Sequence, residues 1–285
     1  LKIDPLKLKL LVKGTVAEDV RDGDITTINL IPPTNRASAR IVSRDHGIVC
    51  GLGVARQVFK TLDKNCVWRS KYSDGDVVKS GRTVATVSGL SRAILTGERT
   101  ALNFLSRLSG IATLTRKYAD RVSKKNVGIY DTRKTSPGLR FIEKYAVAVG
   151  GGSNHRMALD EMILIKENHI KVCKRGNIPL AQALTAIKGK IPRGMQVEIE
   201  AQNIRQVEFA LKNKVNIIML DNLDFNTLRR AVEIIRKSGK KTEIEVSGGV
   251  NLKNVERIAR LGVERISVGA LTHSAPAVDF SLDII

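Results

Sequence analysis

What this chain lacks narrows its class before any motif is sought. Aromatic residues make up only 4% of it, with a single tryptophan, Trp68. Surfaces that stack bases are built from aromatics, so a single-strand nucleic-acid surface is poorly supplied. The three cysteines, Cys50, Cys66 and Cys173, lie far apart and form no CxxC pair. That pattern excludes a disulfide framework and fits a reducing cytoplasm. Four histidines, His46, His155, His169 and His273, show no HExxH or comparable metal spacing. No apolar run approaches the roughly 20 residues that a membrane helix needs, so no membrane partner is expected. The opening stretch to Lys13 alternates Lys with Leu and has no signal-peptide core. Because it begins with Leu1 rather than Met, a trimmed or processed start is expected. Acidic residues are also short: 28 Asp plus Glu face 48 Lys plus Arg, leaving +20. Such a surplus attracts anions, whether nucleic acid, acidic membrane or phosphorylated metabolites, and solvated lysines on helix faces account for part of it.

What is present reads as a globular protein. A chain of 285 residues with 42% hydrophobic content can bury a full core in one large domain or two ordinary ones. Before residue 110 the apolar runs are short and the turns dense. Ala39–Ser43, Gly47–Cys50, Val77–Val78 and Thr83–Val87 read as strands, with tight turns at Asp74-Gly75 and Ser80-Gly81. A long helix follows from about Leu95 to Val122, with Thr96 as its expected N-cap. Gly110 interrupts its apolar pattern and implies a break or a tight packing contact.

After Lys125 short β-branched or apolar runs alternate with helical stretches. The runs begin at Val127, Ala146, Met162, Gln196, Ile217, Glu243 and Arg265. Strand–helix alternation implies a parallel sheet, and seven runs imply a (β/α) barrel open on one side. A doubly wound sheet is the alternative. The expected class is thus α/β: an N-terminal α+β sandwich-like domain over 1–112, with the segment about 273–285 as a candidate to pack with it, and an open seven-stranded (β/α) barrel over 113–272.

Barrels bind ligands at the carboxyl ends of their strands, so the residues after each run are the candidates. The first three ends offer Thr132, Arg133 and Lys134, then His155 and Arg156, then Lys166. So many cations in one pocket would repel each other unless the ligand were strongly anionic. The next two offer Glu198 or Glu200, two apart and on one side of a strand, and Asp221. Such carboxylates suit ribose hydroxyls, Mg²⁺ or developing positive charge. The last two offer Ser247, Gly248 and Gly249, then Gly269. Gly-rich loops there expose backbone N–H groups suited to phosphate. Other motifs fail. There is no GxxxxGK[ST] and no GxSxG, and in Gly51-Leu52-Gly53-Val54-Ala55-Arg56 an arginine stands where a dinucleotide fingerprint needs its third glycine.

At this point the residues resemble a known family. The run Gly97-Glu98-Arg99-Thr100-Ala101-Leu102-Asn103-Phe104-Leu105, then Asp131-Thr132-Arg133-Lys134, Asn154-His155-Arg156, Lys166-Glu167-Asn168-His169, Val197-Glu198-Ile199-Glu200, Leu220-Asp221-Asn222 and Ser247-Gly248-Gly249 are similar, in order, to quinolinate phosphoribosyltransferase. The resemblance spans nearly the whole chain. It implies transfer of phosphoribose from phosphoribosyl pyrophosphate to quinolinate with decarboxylation, a step of de novo NAD synthesis, with Mg²⁺ carried by the donor and no organic cofactor. It implies a homodimer or higher homo-oligomer in which Arg99 reaches a neighbour's site. Quinolinate would meet Arg99, Arg133, His155, Arg156 and Lys166. The donor would meet Lys134, Lys166, Glu198, Asp221, Ser247, Gly248, Gly249 and Gly269, with Thr132 a weaker member. Lys134, Glu198 and Asp221 would be catalytic, and Glu198 with Asp221 would hold Mg²⁺. Two other readings stay open: a phosphoribosyltransferase acting on nicotinate or another acceptor, and a nucleic-acid-binding protein, which the +20 charge motivates.

Overall fold

The computed structural model describes residues 3–285, so the expectation about the start at Leu1 lies outside them. The chain divides into two compact units. One gathers the residues up to Lys117 with Lys134–Gly152 and Ala270–Ile285; the other holds Tyr118–Arg133 and Ser153–Gly269.

The first unit is built on antiparallel strands. They are β1 (Arg36–Ser43), β2 (Gly47–Ile48), β3 (Val67–Ser70), β4 (Val77–Val78) and β5 (Thr83–Leu90). β1 lies between β5 and the C-terminal strand Phe280–Ile284, and β3 closes the far side of β5. β2 and β4 form a separate pair. Val84, Ala85 and Val87 of β5 and Ile41 of β1 are buried, as a half-covered antiparallel sheet requires. The helix Leu52–Leu62 buries Val54, Ala55, Val58 and Phe59 along one stripe, and the Phe59 ring stacks on Trp68 at 6.0 Å. Upstream, Asp4 caps Pro5–Val20 by accepting from the Leu6 and Lys7 amides.

The long helix runs Ser91–Val122, starting before the expected Leu95. Thr96 is therefore not its N-cap. It lies inside the helix, where its hydroxyl donates to Asp24 Oδ2 at 3.0 Å. Ala93 and Ile94 are buried, so the apolar face already begins in the first turn. Gly110 makes no break. A Cβ there would stand 2.1 Å from the Pro276 carbonyl oxygen, so the glycine marks close packing.

The second unit carries six parallel strands: β6 (Gly128–Tyr130), β7 (Ile163–Ile165), β8 (Val197–Ala201), β9 (Ile217–Asp221), β10 (Glu243–Ser247) and β11 (Arg265–Ser267). Their order is β6-β11-β10-β9-β8-β7. β9 is buried from Ile217 to Leu220, the near-continuous apolar run of a strand covered on both faces. The class is as expected: α/β, with an antiparallel N-terminal sheet and a parallel, barrel-like second unit.

One expected strand is corrected. Ala146–Val149 is the end of a helix, Arg140–Val149, in the first unit. Four apolar residues read the same in a buried strand and on a helix face. Here Ile142, Glu143, Ala146 and Val147 are buried together, the i, i+4 stripe of a helix. The seventh position of the sheet is reduced to one parallel bridge, Tyr130 to Ser153. Ser153 N donates to the Ile129 carbonyl at 2.7 Å and Asp131 N donates to the Ser153 carbonyl at 3.1 Å.

Candidate active site

Arg99 and Lys134 belong to the first unit, and the remaining candidates to the second. Within the second unit the strand ends assemble a polar floor and a cationic rim.

The floor starts at Asp131, fully buried just past β6. Its Oδ1 accepts from the His155 amide at 2.9 Å and its Oδ2 from Asn154 Nδ2 at 2.6 Å. One carboxylate therefore fixes the segment that carries His155 and Arg156. The His155 side chain is 6% exposed. Its Nδ1 accepts from the Arg156 amide at 2.8 Å, which leaves the proton on Nε2. Nε2 itself lies 3.1 Å from Glu198 Oε2 and 3.6 Å from Glu245 Oε1. Ser267 Oγ donates to Glu245 Oε1 at 2.6 Å. Burial is the main force raising the Glu198 carboxyl to about 7, and nearby Glu200 adds to it against the pull of Arg265, Arg156 and Lys166. Glu245 is also pushed up to about 7, by burial first and Glu198 second.

The rim holds Arg133, Arg156 and Lys166. Arg156 Nη1 donates to the Met162 carbonyl at 2.9 Å. Its guanidinium is held below its ordinary pKa, first by burial and then by Arg133, whose charge is close enough to repel it. Arg133 Nε is buried without a hydrogen-bond partner. Lys166 precedes the helix Glu167–Arg175, and its Nζ lies 3.4 Å from Glu200 Oε1. Glu200 Oε2 accepts from the Glu167 amide at 3.2 Å. The two glutamates of β8 thus differ in depth: the Glu198 side chain is 0% exposed and that of Glu200 is 12%.

The phosphate-cradle candidates follow β10. Asp221 ends β9, and its Oδ2 accepts from Asn222 Nδ2 at 2.9 Å. Gly248 has φ +83°, and a Cβ there would come within 2.8 Å of the Asn222 backbone nitrogen, so only glycine fits. Asn222, Ser247, Gly248, Gly249 and Arg257 border a cavity of about 470 Å³. The helix after this loop begins at Val255 and is five residues long. Gly269 precedes the short helix Ala270–His273. Both helices are short, so these turns offer an anion loop backbone more than a helix dipole.

In the first unit Arg99 is exposed. It borders a cavity of about 610 Å³ with Glu18, Asp19, Asn103 and Arg107. The loop after Lys134 is clamped by fully buried Glu143. Glu143 accepts from the Ser136 amide at 3.1 Å, from Ser136 Oγ at 2.9 Å and from Arg107 Nη2 at 2.8 Å. Thr272 Oγ1 donates to the Lys134 carbonyl at 2.7 Å.

Comparison with known proteins identifies the family. Family models described as the N-terminal and C-terminal domains of quinolinate phosphoribosyl transferase match residues 24–109 and 111–283. The chain belongs to the quinolinate phosphoribosyltransferase family. It is 38% identical to the probable nicotinate-nucleotide pyrophosphorylase [carboxylating] of Synechocystis, covering 95% of this chain and 90% of that one. It is 38% identical to quinolinate phosphoribosyltransferase [decarboxylating] 1 of Nicotiana glauca, over 97% and 82%. The nicotinate-nucleotide pyrophosphorylase of Francisella tularensis superposes with a TM-score of 0.89 at 39% identity, over 100% and 98%.

Within this quinolinate phosphoribosyltransferase fold, the sequence reading gave Glu245 no role beyond its place in a strand. Glu245 did leave a signal. It sits between Ile244 and Val246 in a run that repeats the Glu-Ile-Glu pattern of β8. An acid at the centre of a parallel strand is costly unless something uses it.

Proposed function

We propose that the chain transfers phosphoribose from phosphoribosyl pyrophosphate to quinolinate with loss of CO₂, yielding nicotinate mononucleotide and pyrophosphate. The observation that carries this reading is the Arg133–Arg156 pair. Two guanidiniums repel each other, and one keeps a buried, unpartnered Nε. A ligand with two adjacent carboxylates satisfies both, since each guanidinium presents a planar fork to a carboxylate. Lys166 adds a third positive charge, and His155 is assigned to the same acceptor site. Family membership supplies the identity of the acceptor.

The pyridine nitrogen attacks C1 of the ribose while the C1–oxygen bond to pyrophosphate breaks. The new pyridinium withdraws electrons, so the C2 carboxylate leaves as CO₂. Its bonding pair stays on C2 and takes up a proton. The donor's phosphates are assigned to Ser247, Gly248, Gly249 and Gly269, and Thr132 and Lys134 keep their expected roles toward the donor. For the carboxylate that meets the sugar, Glu200 replaces the expected Glu198. The support is depth: Glu198 is sealed and committed to His155, whereas Glu200 reaches the strand end beside Lys166. Glu200 and Asp221 are partly exposed oxygen donors of the kind Mg²⁺ shares with phosphates and water. When bound with the donor, the ion would neutralise charge on the departing pyrophosphate. Arg99, exposed on the first unit, is assigned to a neighbouring copy's site in a homodimer or larger ring, and the enzyme to the cytoplasm.

The test is an assay for nicotinate mononucleotide with quinolinate, donor and Mg²⁺, run beside nicotinate as acceptor. Quinolinate-dependent product with one CO₂ per turnover is expected. Turnover of nicotinate alone would sink the proposal.

A further inference from the structure

We propose that Glu245 and Ser267 are positioning residues, which hold the His155 ring and with it the Arg156 backbone in register for the acceptor. This rests on the reading that His155 and Arg156 belong to the quinolinate site.

The placement begins in the sequence. β10 and β11 are neighbouring strands, with Glu245 paired to Arg265 and Val246 to Ile266. Ser267 therefore lies one step diagonally from Glu245 and can reach its carboxylate. Glu245 is 0% exposed, Ser267 2%, Glu198 0% and His155 8%. No solvent competes for these bonds. Ser267 Oγ donates to Glu245 Oε1 at 2.6 Å, and the same oxygen faces His155 Nε2 at 3.6 Å. Glu198 Oε2 faces that nitrogen at 3.1 Å. On the opposite side of the ring the Arg156 amide donates to Nδ1. The imidazole is thus held at both nitrogens. A rotation that broke the carboxylate contacts would also release the Arg156 amide.

Stability alone does not account for Glu245. Packed apolar residues are often as good as, or better than, buried ionic groups at such positions. Glu245 Oε2 and Glu198 Oε1 have no hydrogen-bond partners, so the cluster is not saturated, as a purely structural network would be. What the cluster does fix is one ring orientation and, through it, the peptide that bears Arg156. The ligand atoms of His155, Glu198 and Glu245 lie within 4.8 Å of one another, which raises a metal as the other use. The Nε2 proton, pointing at both carboxylates, disfavours it.

The experiment compares the parent enzyme with Glu245→Ala, Glu245→Gln and Ser267→Ala, each alone and combined with His155→Ala. It uses quinolinate and donor kinetics, thermal melting and elemental analysis of the purified proteins. Glu245→Ala is expected to lower kcat/KM for quinolinate about tenfold or more, with the KM for the donor changed less than about twofold. Gln keeps an acceptor oxygen, so Glu245→Gln should recover most of that loss, and Ser267→Ala should fall between. With His155 already gone, losing Glu245 should cost no more than about twofold, because residues that act as a unit are not additive. If Glu245→Ala fails to fold, Ser267→Ala carries the same cycle. A folded Glu245→Ala with parental quinolinate kinetics overturns the proposal. So does an equal loss in both backgrounds, or one metal ion per chain that Glu245→Ala abolishes. A parent enzyme inactive with quinolinate would instead sink the functional reading.

Discussion

Glu198 and Glu200 stand two residues apart on one face of β8, yet Glu198 is locked against His155 at 3.1 Å while Glu200 opens onto Lys166 at 3.4 Å. Their depths assign them different work. Glu200→Gln is expected to raise the donor KM and lower turnover by about 100-fold, the size of one lost preorganised charge interaction. Glu198→Gln should leave the donor KM within about threefold and act on the quinolinate side. Steady-state kinetics with each substrate varied separately decides it. The reverse pattern would return the sugar-facing role to Glu198.

Arg133 carries the anion reading, and its removal is the most direct test. Arg133→Ala should reduce turnover roughly 100-fold or more, about 3 kcal/mol of lost electrostatic stabilisation. Arg133→Lys should recover little, because a point charge cannot reproduce the bidentate fork. Near-normal kinetics in either variant removes Arg133 from the site.

Where several candidates sit was legible because barrels gather ligand-binding residues at strand ends. Lys166, Asp221 and Ser247 each stand at the end of a strand-like run, and each run proved to be a strand. The depth of a side chain was not legible. A period of two puts Glu198 and Glu200 on one side of β8 but says nothing of which is sealed. Ala146–Val149 misled for a related reason: four apolar residues carry no period of their own, and the deciding neighbours, Ile142 and Glu143, lie upstream. Glu245 stayed hidden because its partners, His155 and Ser267, sit on other segments that only the parallel sheet brings together.

The Arg107–Glu143 pair makes a stability prediction. Glu143 is fully buried and takes bonds from Arg107 Nε and Nη2 at 3.1 and 2.8 Å. Arg107 also bonds the Thr272 carbonyl. Arg107→Ala would leave a buried carboxylate without its cation, at a cost of about 3–5 kcal/mol in urea unfolding. Replacing both partners with apolar residues should cost less than that. A loss below about 1 kcal/mol in the single variant would show that Ser136 alone satisfies Glu143.

Gly110→Ala separates helix propensity from packing. In an open helix the change gains about 1 kcal/mol. Here the added methyl would press on the Pro276 carbonyl, a backbone atom that cannot swing aside. Net destabilisation of about 1–3 kcal/mol is expected. A melting temperature equal to or above the parent's would mean the 276–277 segment yields freely.

The buried carboxyls give the chain a pH signature. Glu198 and Glu245 are each pushed up to about 7 in the folded protein, with burial the first cause. In the unfolded chain a glutamate titrates near 4.5. The folded state therefore holds protons that the unfolded state releases between those values. The stability from keeping these groups protonated is complete below about pH 4.5 and is lost as pH rises through about 7. Urea midpoints should thus fall from pH 5 to pH 8 once the exposed carboxylates have titrated. Glu245→Gln is neutral at every pH, so it should flatten the fall and be more stable than the parent at pH 8. Parallel curves for the two proteins would mean that Glu245 stays charged, held by His155 and Arg265, throughout that range.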